Sequence, residues 1–550
     1  MRPTNTRHAD LQNTAERNLK LHVKEVGRLD WDRVDGVILP ELRERYVEAK
    51  SCMFNVQKLS DAMASPEVCR RMTSKAWNSE AELLASDVER LMTRGHIQII
   101  GHDQVRGTVR AFTTVEEEKQ RRRLITEPVI NYYFEDGGEI TLATMEDILA
   151  PVMEQTMAIS LDYPWFYGQM EIPVEARPFY CFMFGGQWYR MVTVATGGRH
   201  VPAVAQAITK SISQRAALDV GVTTTAPCGG DVRDDAYVDN VRFTHAVVAE
   251  LRRAHGNWVA LSTWAGITVD DEGRTFSPVT DYIFLGVRCI HAKPQTVPAV
   301  ALAPKALKKI EQWRLRMETP ESTTLRTILQ IIGQCVWASR VLAIPMAPMY
   351  YLFKFVRRRV SMEWSLDAPA EPWRCVGPLL KTWLRMAAST HTRQLAKSEN
   401  GQWTLFSDSC LSGYGVILMP PPALQYKYTA AVIAGPWRIR EHINILEARA
   451  CKIGVDALPF QNESTSVEIV VDNTALLGSG RKTRSNSYVL NGIVGAIHTS
   501  VHERNFMISR WRYIASALNP ADAPSRWHER TETSEQLRTE PIATTTQNKQ

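Results

Sequence analysis

Charged and apolar positions alternate at helical spacing through the first part of the chain, most clearly over Ala81–Met92, and predict a helical N-terminal extension over 1–95. From His96 the pattern shortens. His96-Ile-Gln-Ile-Ile-Gly101, Phe179–Phe184 and Trp188–Val194 read as strands with helical stretches between them, an α+β arrangement reaching about residue 300. Apolar residues three and four apart return in Leu307–Leu315 and Leu325–Trp337, so 301–400 is expected to be helical, interrupted by Ala368-Pro-Ala-Glu-Pro372. Beyond 400 the expected order is strand (Trp403–Asp408), strand (Tyr414–Met419), strand (Tyr428–Ala434), helix (Ile445–Leu458), strand (Val467–Asp472), helix (Tyr488–Val501), strand (Met507–Ile514). The tail over 531–550 is Thr- and Gln-rich and expected to be disordered.

A chain of 550 residues is too long for one core, and its 44% hydrophobic content suffices for roughly three or four. The nine cysteines are scattered without a Cys-x-x-Cys pair, which fits a reducing cytoplasmic or nuclear compartment. The start is polar, and no stretch approaches the roughly 18 apolar residues of a membrane span, so neither secretion nor a membrane partner is expected. A net charge of +6 permits a polyanionic partner without demonstrating one.

Carboxylates at predicted strand ends change the picture. Asp162 closes the run Met157–Leu161, and Asp239 lies in Ala236-Tyr-Val-Asp-Asn-Val-Arg-Phe243, two apolar stretches around a tight polar turn. A hairpin tip beside a strand end brings two carboxylates together, although Tyr237-Val-Asp-Asn240 alone is more often an ordinary turn. A second set follows: Asp408 in a first strand, Glu447 in a first helix, Asp472 ending a fourth strand and Asp522 after the last. Singly, such acids are caps or solvated turns. In this order they suit phosphoryl transfer, where clustered carboxylates neutralise two divalent cations about 3.5–4 Å apart.

The residues around the first pair resemble the reverse transcriptase pattern, in order, over about 170 positions. Arg121-Arg-Arg-Leu-Ile125 with Val129-Ile-Asn131 is similar to the basic fingers element, and Asp162-Tyr-Pro-Trp-Phe-Tyr-Gly-Gln-Met170 to the first catalytic motif. Arg177–Phe182 and Thr193–Gln206 resemble template- and nucleotide-contacting segments, and Phe284-Leu-Gly286 the primer grip. The resemblance implies that Asp162 and Asp239 hold Mg²⁺, that Arg122 or Arg123 neutralises phosphate, and that Tyr167 is the gate against a ribose 2′-hydroxyl. It also implies that Gly197 lets backbone approach a base pair and that Gln206 positions the template. Blander readings stay open: a solvated arginine face, a core aromatic at Tyr167, an exposed helical amide at Gln206. Two positions depart from the pattern. Asn240 stands where a second aspartate is usual, and no lysine occurs in Ala265–Phe276, where Arg274 is nearest.

The segment after 400 resembles ribonuclease H, which implies that Asp408, Glu447, Asp472 and Asp522 hold metal for hydrolysis of the RNA strand. Asn519-Pro-Ala-Asp-Ala-Pro-Ser-Arg526 is similar to the closing motif of DIRS-like and VIPER retrotransposons and of hepadnaviral polymerases. The active-site-loop histidine of some ribonucleases H has no candidate between Tyr513 and Asp522. The expected architecture is α+β and α/β multidomain: a right-hand polymerase with fingers and palm over 96–300 and a thumb and connection over 301–400, then a ribonuclease H-like domain over 401–530. The basic groups Lys305, Lys308, Lys309, Lys354–Arg359 and Arg481–Arg484 are phosphate contacts or solvated faces. The implied activity is RNA-directed DNA synthesis with ribonuclease H. Its cofactor is Mg²⁺, with Mn²⁺ a second candidate, and its partners are an RNA template, a DNA primer, the RNA–DNA hybrid and dNTPs, with other retroelement proteins on separate chains. A ribonuclease H with a decayed polymerase half, and a non-catalytic nucleic-acid-binding remnant, are the rivals.

Overall fold

The computed structural model describes residues 19–72, 83–116, 119–134, 140, 142–154, 156–194, 196–218, 232–269, 277–292, 297–317, 324–362, 366, 373–395, 401–461 and 465–527. The 531–550 tail, the 368–372 proline break and Arg274 lie outside them. The chain divides into two compact units, Met1–Gln295 and Thr296–Gln550.

In the first unit the elements that matter are α1 (Ala85–Thr93), the hairpin β1 (Val109–Glu116) and β2 (Arg121–Pro128), β3 (Met157–Asp162), α2 (Val201–Leu218), the hairpin β4 (Arg233–Tyr237) and β5 (Asn240–His245), and α3 (Val248–Trp264). Strand β5 pairs antiparallel with both β3 and β4, giving the order β3-β5-β4. Twelve of the eighteen residues of α2 are buried, on all its faces. A helix of that kind has to lie inside, and α2 packs against α3 and β4. Tyr163 is stacked between Phe166 and Trp258, with ring centroids 4.7 and 4.9 Å away, which fixes the chain just past Asp162.

The N-terminal helices belong to this same core. Leu21, Val34, Tyr46 and Leu59 are buried in one cluster with Phe243 and Trp258. The Leu39 N–H donates to Ser211 Oγ (3.1 Å), and the Tyr180 hydroxyl donates to the Met53 carbonyl (2.6 Å). Helical spacing reveals an apolar stripe but not what it packs on, so the sequence suggests an extension where the fold has an integral layer.

The second unit opens with a short strand, Ala299–Leu302, followed by four helices, α4 (Pro304–Arg316), α5 (Leu325–Leu342), α6 (Tyr350–Met362) and α7 (Val376–Ser389), the last tied to α5 where the buried Trp383 Nε1 donates to Ser339 Oγ (2.7 Å). There follow β6 (Gln402–Ser409), β7 (Gly413–Met419), β8 (Ala431–Pro436), α8 (Ile443–Asp456), β9 (Thr465–Val471), α9 (Thr474–Arg481), α10 (Tyr488–Glu503) and β10 (Phe506–Tyr513). The sheet order is β8-β7-β6-β9-β10. The first three strands are antiparallel neighbours, and β6, β9 and β10 run parallel. This is the ribonuclease H-like arrangement, and the unit is α/β. Strand β9 is buried at six of its seven positions, as a strand with parallel neighbours on both sides and helices packed on the sheet should be. The helix α9 escapes the sequence reading because its Gly478 and Gly480 break the apolar periodicity; Gly480 is needed there, since a Cβ would lie 2.5 Å from the Trp511 ring.

Candidate active sites

Strand pairing builds the first site. Asp162, the last residue of β3, lies opposite Asn240 in the register with β5, and the Tyr163 N–H donates to the Asp239 carbonyl (2.9 Å). The two acids line one cavity of about 300 Å³ together with Lys24, Lys119, Arg121 and Arg123. Burial, and then the neighbouring Asp162, push the Asp239 carboxyl above the usual carboxylate range. Asn240 Nδ2 donates to Asp239 Oδ1 (2.8 Å), so the residue standing where the resemblance expects a second aspartate contributes a donor to the first instead of another charge.

The turn that presents Asp239 is strained. Val238 has φ +56°, and a β-branched residue in the left-handed region is a genuine outlier. Helix α2 holds it there with two polar side chains. Gln206 Oε1 accepts from the Val238 N–H (2.6 Å) while its Nε2 donates to the Ala236 carbonyl (3.1 Å), and Thr209 Oγ1 donates to the Val238 carbonyl. Gln206 is therefore neither an exposed amide nor, in this geometry, a template contact; it is a buried clamp on the hairpin. Thr209 went unnoticed in the sequence. The signal available was two polar residues three apart on an otherwise buried helix, since buried polar groups require partners.

Strand alternation separates the arginines. Residues 121 and 123 face one side of β2 and 122 the other. Arg122 is buried, with Nη1 and Nη2 donating to the Asp87 carboxylate of α1 (2.6 and 2.7 Å) and Nε to the Leu19 carbonyl (2.8 Å). Its donors are committed to the core, which removes Arg122 from the phosphate contacts, whereas Arg123 lines the cavity. Arg122→Ala is expected to cost about 3–5 kcal/mol by stranding Asp87, and Arg123→Ala less than about 0.5 kcal/mol. Urea denaturation followed by circular dichroism distinguishes them, and equal midpoints would contradict the assignment.

Tyr167 lines the same cavity, half-buried, its hydroxyl pushed up to about 12 by burial and then by Asp239. Gly197 takes φ +126°, and a Cβ there would lie 1.7 Å from the Thr126 carbonyl oxygen. The group that approaches it is thus the backbone of β2 rather than a base pair, and the glycine serves chain packing.

The second site is built on parallel strands. Phe406 pairs with Val470 in the β6–β9 register, which sets Asp408 near the end of β6 beside Asp472 just past β9. Helix α8 packs on β6 and adds Glu447. One carboxylate oxygen from each of Asp408, Glu447 and Asp472 lies within 4.8 Å of the others. Burial, then Asp408 and Asp472, raise the Glu447 carboxyl to about 9. Asp408 is raised to about 6, chiefly by burial, with Asp472 and Asp522 adding to it. Glu447 Oε2 and Asp472 Oδ1 are buried with no hydrogen-bond donor among the described residues. Orphaned buried oxygens among repelling carboxylates are the arrangement a divalent cation neutralises, so these residues fit a metal. Asp522 is not in the triad; its Oδ1 accepts from Arg526 Nε and Nη2 (3.1 and 2.9 Å), and it acts on Asp408 through charge.

The closing motif has a structural logic. Asn519 Nδ2 donates to the Ser407 carbonyl (3.0 Å), pinning 519–525 to β6, and Ser525 Oγ donates to Asp408 Oδ2. This close approach needs Gly415, opposite Asp408 on β7, where a Cβ would meet the Ala521 carbonyl oxygen at 2.4 Å and the Ser525 nitrogen at 2.5 Å. Ser525 and Gly415 are positioning residues that the acid pattern alone did not single out.

No family model matches the chain, and no curated protein matches it. Among solved structures it is similar to foamy viral protease–reverse transcriptase. One such structure, in complex with double-stranded DNA, matches at 11% identity with a TM-score of 0.46, covering 90% of this chain and 98% of that one. A second double-stranded DNA complex, of the form designated dRH, matches at 12% and 0.43 over 90% and 83% of the two chains. An RNA/DNA hybrid complex matches at 10% and 0.42 over 83% and 56%. At this level of likeness the units' own strand registers carry the fold. Among the described residues no helix is long and apolar enough to cross a membrane.

Proposed function

We propose that the chain is a retroelement RNA-directed DNA polymerase with ribonuclease H, in which 96–300 act as fingers and palm, 301–400 as thumb and connection, and 401–530 as the nuclease. The observation that carries this reading is the carboxylate triad Asp408, Glu447 and Asp472, with its orphaned oxygens, on a sheet of ribonuclease H-like order. The opposed Asp162 and Asp239 in a cavity edged by lysine and arginine add to it. Asp162 and Asp239 would hold cations in the first unit; Asp408, Glu447 and Asp472, with Asp522 beside them, would do so in the second. When bound, paired Mg²⁺ or Mn²⁺ ions supply activation of the attacking oxygen and stabilisation of the leaving one. Arg123, Arg121 and Lys119, which line the same cavity as the two acids, would neutralise a triphosphate, and Tyr167 would limit the space beside the sugar. The partners are an RNA template, a DNA primer, their hybrid and dNTPs. The Asn519–Arg526 motif favours the DIRS-like and VIPER group, with integration supplied by other chains.

One observation favours a narrower enzyme. Because Asn240 occupies Asp239 Oδ1, the first site has fewer free anionic oxygens than the second, which suits a ribonuclease H whose polymerase half is impaired. Primer extension on RNA and hybrid cleavage, run on one preparation in Mg²⁺ and in Mn²⁺, separate the two. Both activities are expected. Cleavage without extension in either ion selects the narrower reading, and absence of both overturns each of them.

A further inference from the structure

The cavity that holds Asp162 and Asp239 has a wall that neither the acids nor the arginine strand provides. Residues 20–31 join its two sides as a strap. At one end the strap is bonded to β2: the Arg122 N–H donates to the Lys20 carbonyl (3.0 Å) and the His22 N–H to the Arg122 carbonyl (2.7 Å). At the other it is fastened to the chain that follows Asp162. Arg28 Nη1 donates to the Gly168 carbonyl (2.6 Å), the Leu29 N–H to the Gln169 carbonyl (2.8 Å) and Trp31 Nε1 to the Glu171 carbonyl (2.8 Å). Between these anchors, His22 and Lys24 line the cavity.

His22 touches both sides at once. Arg121 Nη1 donates to its Nε2 (2.9 Å), and its ring meets Trp165 edge-on at a centroid distance of 5.3 Å. A guanidinium offers only N–H groups, so Nε2 has to be the bare, accepting nitrogen and the ring neutral with its proton on Nδ1. Burial, then the charge of Arg121, lower the ring's pKa to about 4 and keep it in that form. The same guanidinium donates through Nε to Glu116. Held by one acceptor at Nε and another at Nη1, Arg121 has a fixed orientation. Trp165 is fixed in turn: its backbone takes φ +52°, His96 lies beside it at 5.9 Å, and Gly168 leaves it room, since a Cβ there would lie 1.7 Å from Trp165 Nε1. The cavity so bounded is lined by four cationic side chains, Lys24, Lys119, Arg121 and Arg123, and Glu116 is already paired with Arg121. Such a surplus beside two metal-binding acids suits an anion with several charged oxygens.

We infer that the strap is part of the nucleotide site: Lys24 contacts the triphosphate directly, and His22 is a positioning residue that aims Arg121 at the same anion. The inference rests on the proposed polymerase reading and adds two residues to it, from a segment whose sequence carries no chemical motif.

The test uses the full chain on a poly(rA) template with an oligo(dT) primer and reads kcat and KM for dTTP in Mg²⁺ and in Mn²⁺. Lys24→Ala is expected to raise KM about ten-fold with kcat within about two-fold, as the loss of a contact shared by ground and transition states requires. His22→Ala should raise KM about five-fold, and His22→Gln should bring it back to within about two-fold, because a glutamine carbonyl can accept from Arg121 where Nε2 does. In an Arg121→Ala background, His22→Ala should have no further effect, since the ring acts through that guanidinium. Lys58→Ala, the same charge change on the helix Val56–Ala64, should leave KM unchanged. An unchanged KM in Lys24→Ala, an equal rise in Lys58→Ala, or a His22 effect that persists undiminished without Arg121 overturns the proposal. A fall in kcat at constant KM assigns the strap to the shape of the cavity alone and likewise overturns it. Calorimetric titration of dTTP into the chain loaded with a primer lacking its 3′-hydroxyl keeps the two readings apart. Binding weakened by Lys24→Ala in a chain that extends no primer supports the strap assignment while the polymerase reading falls; neither extension nor binding in the parent chain overturns both.

Discussion

Glu447→Gln is expected to abolish hybrid cleavage, to stabilise the metal-free chain, and to remove most of the thermal stabilisation that divalent cations confer. The three effects have one cause. Glu447 is buried against Asp408 and Asp472, and its carboxyl is raised from 4.5 to about 9. For an acid whose folded pKa lies above its unfolded value, the unfolded chain ionises first as pH rises. The associated stability is complete below about 4.5 and is lost as pH climbs through about 9. Asp408, raised from 3.8 to about 6, gives a smaller loss at the lower end of that window. Glutamine keeps the shape without the charge, so the variant's metal-free melting temperature should fall less between pH 5 and pH 9 than the parent's. A cation that binds the folded triad at a hundred times its Kd stabilises by about 2.7 kcal/mol, roughly 5–10 °C for a unit of this size. That shift should grow from pH 6 to pH 8, because metal displaces protons from the ligands. Cleavage should fall by about a thousand-fold or more, matching the loss of several kcal/mol of charge stabilisation. Calorimetry with EDTA, MgCl₂ or MnCl₂ reads the stability, and a gel assay on labelled hybrid the turnover. A variant with the parent's metal-dependent shift would mean that the triad is an ordinary buried acid cluster.

The two units differ in how much of this was legible in the sequence. In the second, each strand of the five-stranded sheet and the helices Ile443–Asp456 and Tyr488–Glu503 fall close to where the apolar pattern puts them, whereas the short strands Ala299–Leu302 and Arg393–Gln394 were not foreseen. A sheet whose central strands are buried on both sides writes itself as near-continuous apolar runs such as Ile469-Val-Val471, and acids immediately beyond such runs stand out. The glycine-rich helix Thr474–Arg481 has no such signature. In the first unit, strand ends marked Asp162 and Asp239 correctly as neighbours, but the neighbouring residues were assigned by likeness rather than by facing direction. Period-two alternation along Arg121–Pro128 was already enough to separate Arg122 from Arg121 and Arg123. What the linear pattern does not carry is long-range partnership: Asp87 for Arg122, Thr126 for Gly197, and the hairpin for Gln206 are contacts across 35, 71 and 32 residues. Each turned a residue read as a ligand contact into one that holds the site in shape.

Asp162→Asn and Asp239→Asn are each expected to lower primer extension by about a thousand-fold while leaving hybrid cleavage unchanged, since each removes an anionic oxygen from the smaller carboxylate set. Gln206→Ala should act more subtly on the same reaction. Without its Oε1 the Val238 N–H loses its acceptor, and a turn strained by about 1–3 kcal/mol is free to relax and carry Asp239 with it. A displacement of about 1 Å in such a group costs roughly a hundred-fold in rate, so kcat should fall while KM for the dNTP stays within about three-fold. Glycine accepts positive φ without strain. Adding Val238→Gly to Gln206→Ala should therefore recover about ten-fold of the lost rate, because the turn then holds its shape without the clamp. Single-turnover extension under saturating dNTP reads the chemical step directly. If Gln206→Ala instead raises KM with kcat unchanged, and the glycine gives no recovery, Gln206 touches the template or nucleotide after all and the hairpin keeps its geometry by packing alone.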